Sequence, residues 1–243
     1  MWGSGNLCLK AGKEEHNLET GIYIFTGHYG SGKTETAINF AQKLAAEPAR
    51  KVAVIDLDIV NPFFRTADAK EELEAAGIRV ELPLYANTNV DVPALTGVMG
   101  AVIEDPAYDV ILDVGGDDLG AKAVGRYSEE IRRRRYTQFF VMNARRPFTK
   151  DLPSAAKIYD EVQAASAVTC GGIINNTNLL DLTDADTVIE GLKLIRELAA
   201  CKGVPILYHC AVDRVADELK KRDPADFAEE RLIRITRQVK RLF

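Results

Sequence analysis

Residues 27–34 read Gly-His-Tyr-Gly-Ser-Gly-Lys-Thr, the pattern G-x-x-x-x-G-K-T. Glycines at Gly27, Gly30 and Gly32 let a backbone turn its N–H groups inward around an anion, without Cβ clashes. Lys33, just beyond them, can reach the β- and γ-phosphates of a nucleotide, and the Thr34 hydroxyl is a hard oxygen suited to Mg²⁺. His28, Tyr29, Ser31 and Glu35 complete the rim of this cradle, and Lys33 is expected to face solvent when no phosphate is bound. A glycine-rich turn that merely joins two elements is the bland alternative, and the complete spacing argues against it.

Carboxylates follow at two further places. VAVIDLDIVNP puts Asp56 and Asp58 at the end of an apolar run, and DVILDVGGDD puts Asp113 at the end of another, with Gly116 completing D-x-x-G. Such residues can cap turns. Beside a phosphate cradle they can instead hold a water on Mg²⁺ or orient one for attack, and the Gly115-Gly116 pair can register a γ-phosphate.

These residues need strand ends that converge. The runs 21–26, 51–57, 108–114, 137–143, 167–175 and 204–210 are short, β-branched and nearly continuous in apolar residues, as strands buried on both faces of a parallel sheet are. Helical stretches are expected between and after them, at 33–46, 66–76, 93–104, 120–134, 150–165, 184–200 and 224–242. Alternation of this kind predicts an α/β fold, a doubly wound, mostly parallel β-sheet flanked by helices, and the G-x-x-x-x-G-K-T loop after its first strand makes the expected type a P-loop NTPase. Residues 21–243 form one domain in this reading, and residues 1–20 a loosely docked N-terminal extension.

The chain has 243 residues, 28% of them charged, and a formal net charge of −5, which disfavours a nucleic-acid partner. Cys8, Cys170, Cys201 and Cys210 form no C-x-x-C pair, so reduced thiols and a cytoplasmic location are expected, with no cluster or zinc signature. His16 and His209 have no partner at metal-ligand spacing.

Taken in order, the G-x-x-x-x-G-K-T loop, D-x-D at the second strand and D-x-x-G resemble the MinD/ParA group of P-loop ATPases, which includes the nitrogenase iron protein and the nickel-insertion ATPase CooC. The resemblance runs from about Gly21 to Cys210. It implies that Lys33 and Thr34 contact phosphate and Mg²⁺, that Asp58 orients the attacking water, and that Asp56 and Asp113 support the metal. GGIINNTN resembles the group's strand ending in an adenine-reading Asn, which matches Asn176 best and leaves Asn175 open. The implied function is an ATPase, slow by itself, that uses ATP and Mg²⁺ to switch a protein partner, with a homodimer as one form.

The loop departs from that group at its rim. The signature is K-G-G-x-G-K-[ST], whose first Lys reaches a dimer partner's phosphates. Here His28 stands in that place and Tyr29 replaces the next Gly. An imidazole is shorter than Lys and only a part-time cation. Either His28 makes a weaker version of that contact, or the chain hydrolyses ATP without that dimer. Two other functions stay open on the residues: a carboxylate-activating ligase similar to dethiobiotin synthetase or the cobyrinate amidating enzymes, and a module that binds ATP without hydrolysing it.

Three basic features complete the reading. Arg132 to Arg135 suggest a solvated helix end. Arg145 and Arg146 follow a strand and are expected on the same sheet edge as the cradle, as candidate substrate or phosphate contacts. Leu232, Ile235, Val239 and Leu242 form one helical stripe amid basic residues. That stripe suits a terminal helix packed on the sheet better than one lying on a membrane.

Overall fold

The computed structural model describes residues 20–58, 66–83, 97–116 and 118–237. Eight strands form one sheet in the order β3-β2-β4-β1-β5-β6-β7-β8, and every neighbouring pair is parallel. The strands are β1 Ile22–Thr26, β2 Lys51–Leu57, β3 Arg79–Glu81, β4 Tyr108–Val114, β5 Tyr136–Met142, β6 Cys170–Asn175, β7 Ile206–Ala211 and β8 Leu232–Arg234. The helices are α1 Lys33–Ala45, α2 Lys70–Ala75, α3 Gly97–Glu104, α4 Asp118–Arg126, α5 Ser128–Arg132, α6 Leu152–Ser166, α7 Ala185–Lys202 and α8 Asp213–Arg222. This is a doubly wound α/β architecture, with a wholly parallel sheet where a mostly parallel one is expected.

Alternate residues of β1 serve the two faces. Tyr23 and Phe25 pack with Phe40 of α1, Phe139 and Ile174. Ile22 and Ile24 pack with Met99, Val110 and Val124 beneath α3 to α5. Because β1 lies between β4 and β5 and all strands run one way, the loops after every strand emerge on one edge, where ligands of such sheets bind. On the opposite edge, buried Asp109 accepts hydrogen bonds from Gly21 N at 2.9 Å and Arg50 Nη1 at 2.7 Å, tying β4 to β1 and to the α1–β2 turn.

Several expectations need correction. No helix occupies 224–237. After a turn of 3₁₀ helix at Glu229–Arg231 the chain pairs with β7 as β8. Leu232 and Ile233 are both buried in the sheet, so neither a packed terminal helix nor a membrane-facing stripe forms there. Val239 and Leu242 lie outside the described residues, as do Cys8, His16 and residues 1–19 of the N-terminal extension. Helix α8, absent from the sequence reading, buries Val215, Ala216 and Leu219. The stretch 120–134 breaks at Tyr127 into α4 and α5. Arg134 is not a solvated helix end, because its guanidinium donates to the carbonyls of Ile103 and Tyr108, each at 2.7 Å. No helix among the described residues is long and apolar enough to cross a membrane.

Candidate functional site

β1 ends at Thr26, and the chain turns through residues 27–32 into α1. Gly32 caps that helix with φ 85° and ψ 27°, and no side chain caps its first amides. A Cβ at Gly32 would lie 2.2 Å from Asn176 Nδ2, so the left-handed backbone and the close neighbour both require glycine. The uncapped amides and the positive end of the helix dipole therefore point into the loop, an arrangement suited to an anion.

Lys33 departs from the sequence expectation. It is buried rather than solvent-facing, and its Nζ lies 3.4 Å from the His28 carbonyl oxygen. The loop's own carbonyl supplies a partner for the ammonium, which draws the side chain in instead of leaving it in water.

The three carboxylates meet beside it. Asp56 of β2 and Asp113 of β4 are register partners across the sheet, and Asp56 Oδ1 accepts a hydrogen bond from Asp58 N at 2.8 Å. Thr66 Oγ1 donates to Asp113 Oδ2 at 3.0 Å, while Asp113 Oδ1 is buried without a hydrogen-bond partner. Burial pushes the Asp113 carboxyl up to about 6, against the opposing pull of the Lys33 ammonium and the Thr34 and Thr66 hydroxyls. Among the described residues no three His, Cys, Asp or Glu side chains are grouped to hold a metal by themselves. A hard oxygen set of Thr34, Asp56 and Asp113, with one oxygen unpartnered, fits Mg²⁺, which fills much of its shell with water and phosphate. Gly116, the last residue of D-x-x-G, packs against the loop. A Cβ there would meet Tyr29 N at 2.6 Å and Lys33 Nζ at 2.9 Å.

A cavity of about 410 Å³ opens from this point. Gly30, Gly32, Lys33, Thr34, Glu35 and Asp58 line it. Asn176, Asn178, Val212, Ile235 and Arg237 belong to the same lining, Asn176 directly beside the loop. Of the two candidate base-reading residues, Asn176 faces the cavity, and its Nδ2 donates to Ser31 O at 2.7 Å. Asn175 does not line it; its side chain is fully buried, 3.3 Å from His209 Nδ1. The sequence reading missed the C-terminal wall, Ile235 and Arg237, which β8 places there. The β-branched residues Ile233, Ile235 and Thr236 are the signal that marks it as strand.

The rim also takes a particular form. The His28 ring packs against Phe148 with centroids 4.7 Å apart and planes tilted by 30°, and its Nδ1 lies 3.0 Å from Tyr29 O. Tyr29 lines the cavity and is 56% exposed. Arg145 pairs with Glu190, whereas Arg146 lines the cavity.

No family model and no curated protein matches this chain. Among solved structures it is similar to the cell division protein FtsY of Thermotoga maritima, at 22% identity and a TM-score of 0.49 over 79% of this chain and 62% of FtsY. It therefore spans less than two thirds of that protein's length. It is also similar to a nucleotide-binding protein from Archaeoglobus fulgidus in complex with ADP, at 14% identity and a TM-score of 0.49, covering 88% of this chain and 92% of that one. A third likeness is to a ParA family ATPase from Chlorobium tepidum, at 15% identity and a TM-score of 0.45, covering 87% and 95%.

Proposed function

We propose that the chain binds Mg²⁺-ATP in this cavity, hydrolyses it, and uses the nucleotide state to control a protein partner. The observation that supports this most is the meeting of an uncapped α1 N-terminus, Lys33 and Asp58 in one cavity, with Asp56 and Asp113 just behind. The loop amides and Lys33 hold the β- and γ-phosphates. Thr34, Asp56 and Asp113 hold the metal, and bound Mg²⁺ neutralises phosphate charge. Asp58 orients a water for in-line attack on the γ-phosphorus; the new P–O bond forms as the bond to the β-phosphate oxygen breaks and ADP leaves. Asn176 offers its amide to the adenine edge.

Two features support a switch. Gly116 touches both Tyr29 and Lys33, so a γ-phosphate that draws Lys33 forward changes a contact with the D-x-x-G segment. Tyr29, Phe148, Leu179, Leu180 and Leu182 are exposed, and all follow strand ends on the cavity edge, where a partner or a second copy would sense that change.

Lys33→Ala tests the reading. It is expected to lower Mg²⁺-ATP affinity by about 100-fold or more, since a charge-assisted contact to phosphate is lost from a buried group. Calorimetry measures this, with circular dichroism checking the fold because Lys33 is buried. Wild-type affinity in the variant would place the phosphate site elsewhere.

A further inference from the structure

We propose that Arg146 supplies, within one chain, the second cation on the transferring phosphate that residue 28 does not provide; this rests on the ATP site above. The imidazole at 28 is held against its own chain, packed at a tilt on Phe148 and with Nδ1 3.0 Å from the Tyr29 carbonyl oxygen. The turn that carries Phe148 also carries Arg146, and it lays the guanidinium along the loop. A Cβ built on Gly30 would be 3.6 Å from Arg146 Nε and 3.7 Å from Cζ. Arg146 lines the same cavity as Lys33, Thr34 and Asp58. No ion pair engages its side chain among the described residues, whereas neighbouring Arg145 is occupied by Glu190.

The turn is fixed by a buried residue. Asn143, fully buried at the end of β5, accepts at Oδ1 from Arg145 N at 2.9 Å and Asn178 N at 3.3 Å. Its carbonyl accepts from Arg146 N at 3.1 Å and from Thr149 Oγ1 at 2.6 Å. Arg146 is thus a permanent charge on a preorganised support. Its planar fork matches two phosphate oxygens at once, which a lysine cannot do. Charge spreads over the equatorial oxygens as the γ-phosphoryl leaves, and an arginine placed there is worth about 10³–10⁵ in rate.

The test compares the wild-type chain with Arg146→Ala, Arg146→Lys and Lys33→Ala. Arg146→Ala is expected to lower the single-turnover rate at saturating Mg²⁺-ATP by about 100-fold or more. Its ADP affinity is expected to stay within about threefold of wild type, because the contact is made to the γ-position. Added guanidinium should restore part of the rate, and Arg146→Lys should recover only part of it. Affinity for ADP with aluminium fluoride reads the same contact without turnover. A mixture of the Arg146→Ala and Lys33→Ala proteins should stay inactive, since each chain must hold both groups. If Lys33→Ala has lost ATP but Arg146→Ala keeps wild-type turnover and wild-type affinity for the aluminium fluoride complex, Arg146 has no such role and the site stands. Recovery in the mixture would show that Arg146 acts on a neighbouring chain's nucleotide and would overturn the assignment. If Lys33→Ala binds ATP like wild type, the site reading itself fails.

Discussion

Asp58 sits 6% exposed at the end of β2, on the cavity wall, and its proposed work is confined to the transition state. Asp58→Ala should therefore keep ATP affinity near wild type and lose about 100-fold or more in turnover. A phosphate-release assay beside calorimetry checks this, and equal turnover would move the role to Asp56. His209 offers a second test, of stability. Burial holds its imidazole down to about 3, from an ordinary value of 6.5. Its Nε2 has no hydrogen-bond partner, and its ring lies 4.6 Å from Phe227. The unfolded chain binds a proton at this histidine below 6.5 that the folded chain refuses until about 3. Its contribution to stability is complete above 6.5 and shrinks as pH falls through that window, by up to about 1.4 kcal/mol per pH unit. Denaturant titrations between pH 6.5 and 4 should show a shallower decline in His209→Gln than in wild type, whatever the variant's starting stability. Parallel declines would mean the histidine is charged in the fold. That the loop and the three carboxylates come together was legible in the sequence, because they follow buried strands of one parallel sheet and so share its edge. The burial of Lys33 was not legible, because it depends on which carbonyl the folded loop turns toward the ammonium.

At the scale of elements, the loop and the D-x-x-G segment behave as one unit. Gly116→Ala would set a methyl group 2.6 Å from Tyr29 N and 2.7 Å from Tyr29 Cα. Those atoms belong to the backbone of the cradle, so the loop must move. ATP affinity should fall by about tenfold, equal to about 1.4 kcal/mol, while the far-ultraviolet circular dichroism stays that of wild type. An unchanged affinity would show that the cradle tolerates the shift. Buried strands β1, β2 and β4 could be read from the chain because both of their faces are apolar. The segment 224–242 misleads for a physical reason. Leu232 and Ile235 fall on a helical stripe, yet the buried pair is Leu232 and Ile233, and a basic decoration suits an ion-paired edge strand equally well. Arg234 meets Asp213 at 3.1 Å and Asp217 and Glu229 each at 2.8 Å. Helix α8 escapes notice because a short helix with few apolar residues gives a weak periodic signal, and its burial of Val215 and Leu219 comes from the neighbours it packs on.

Across the whole molecule, one face of the sheet is organised around aromatic rings. Phe139 lies 5.1 Å from Phe25, 5.8 Å from Phe40 and 5.8 Å from Tyr208. Phe139→Ala should cost about 3–5 kcal/mol, seen as a lower denaturant midpoint with an unchanged slope. A loss below about 1 kcal/mol would mean that the rings close over the gap. The cavity itself spans most of the sheet, its lining running from Asp58 after β2 and Lys33 after β1 to Ile235 and Arg237 after β8. A nucleotide seated there would act as a brace between the central strand and the edge strand. Peeling β8 from β7 would empty the cavity, so fraying of this edge must compete with ligand occupancy. At a ligand concentration 100 times its dissociation constant, that competition adds about 2.7 kcal/mol to the cost of opening. Amide hydrogens of β8 should therefore exchange roughly a hundredfold more slowly with nucleotide bound. The outermost strand, about 200 residues from the loop in the chain, becomes the place where occupancy of the loop can be read from outside.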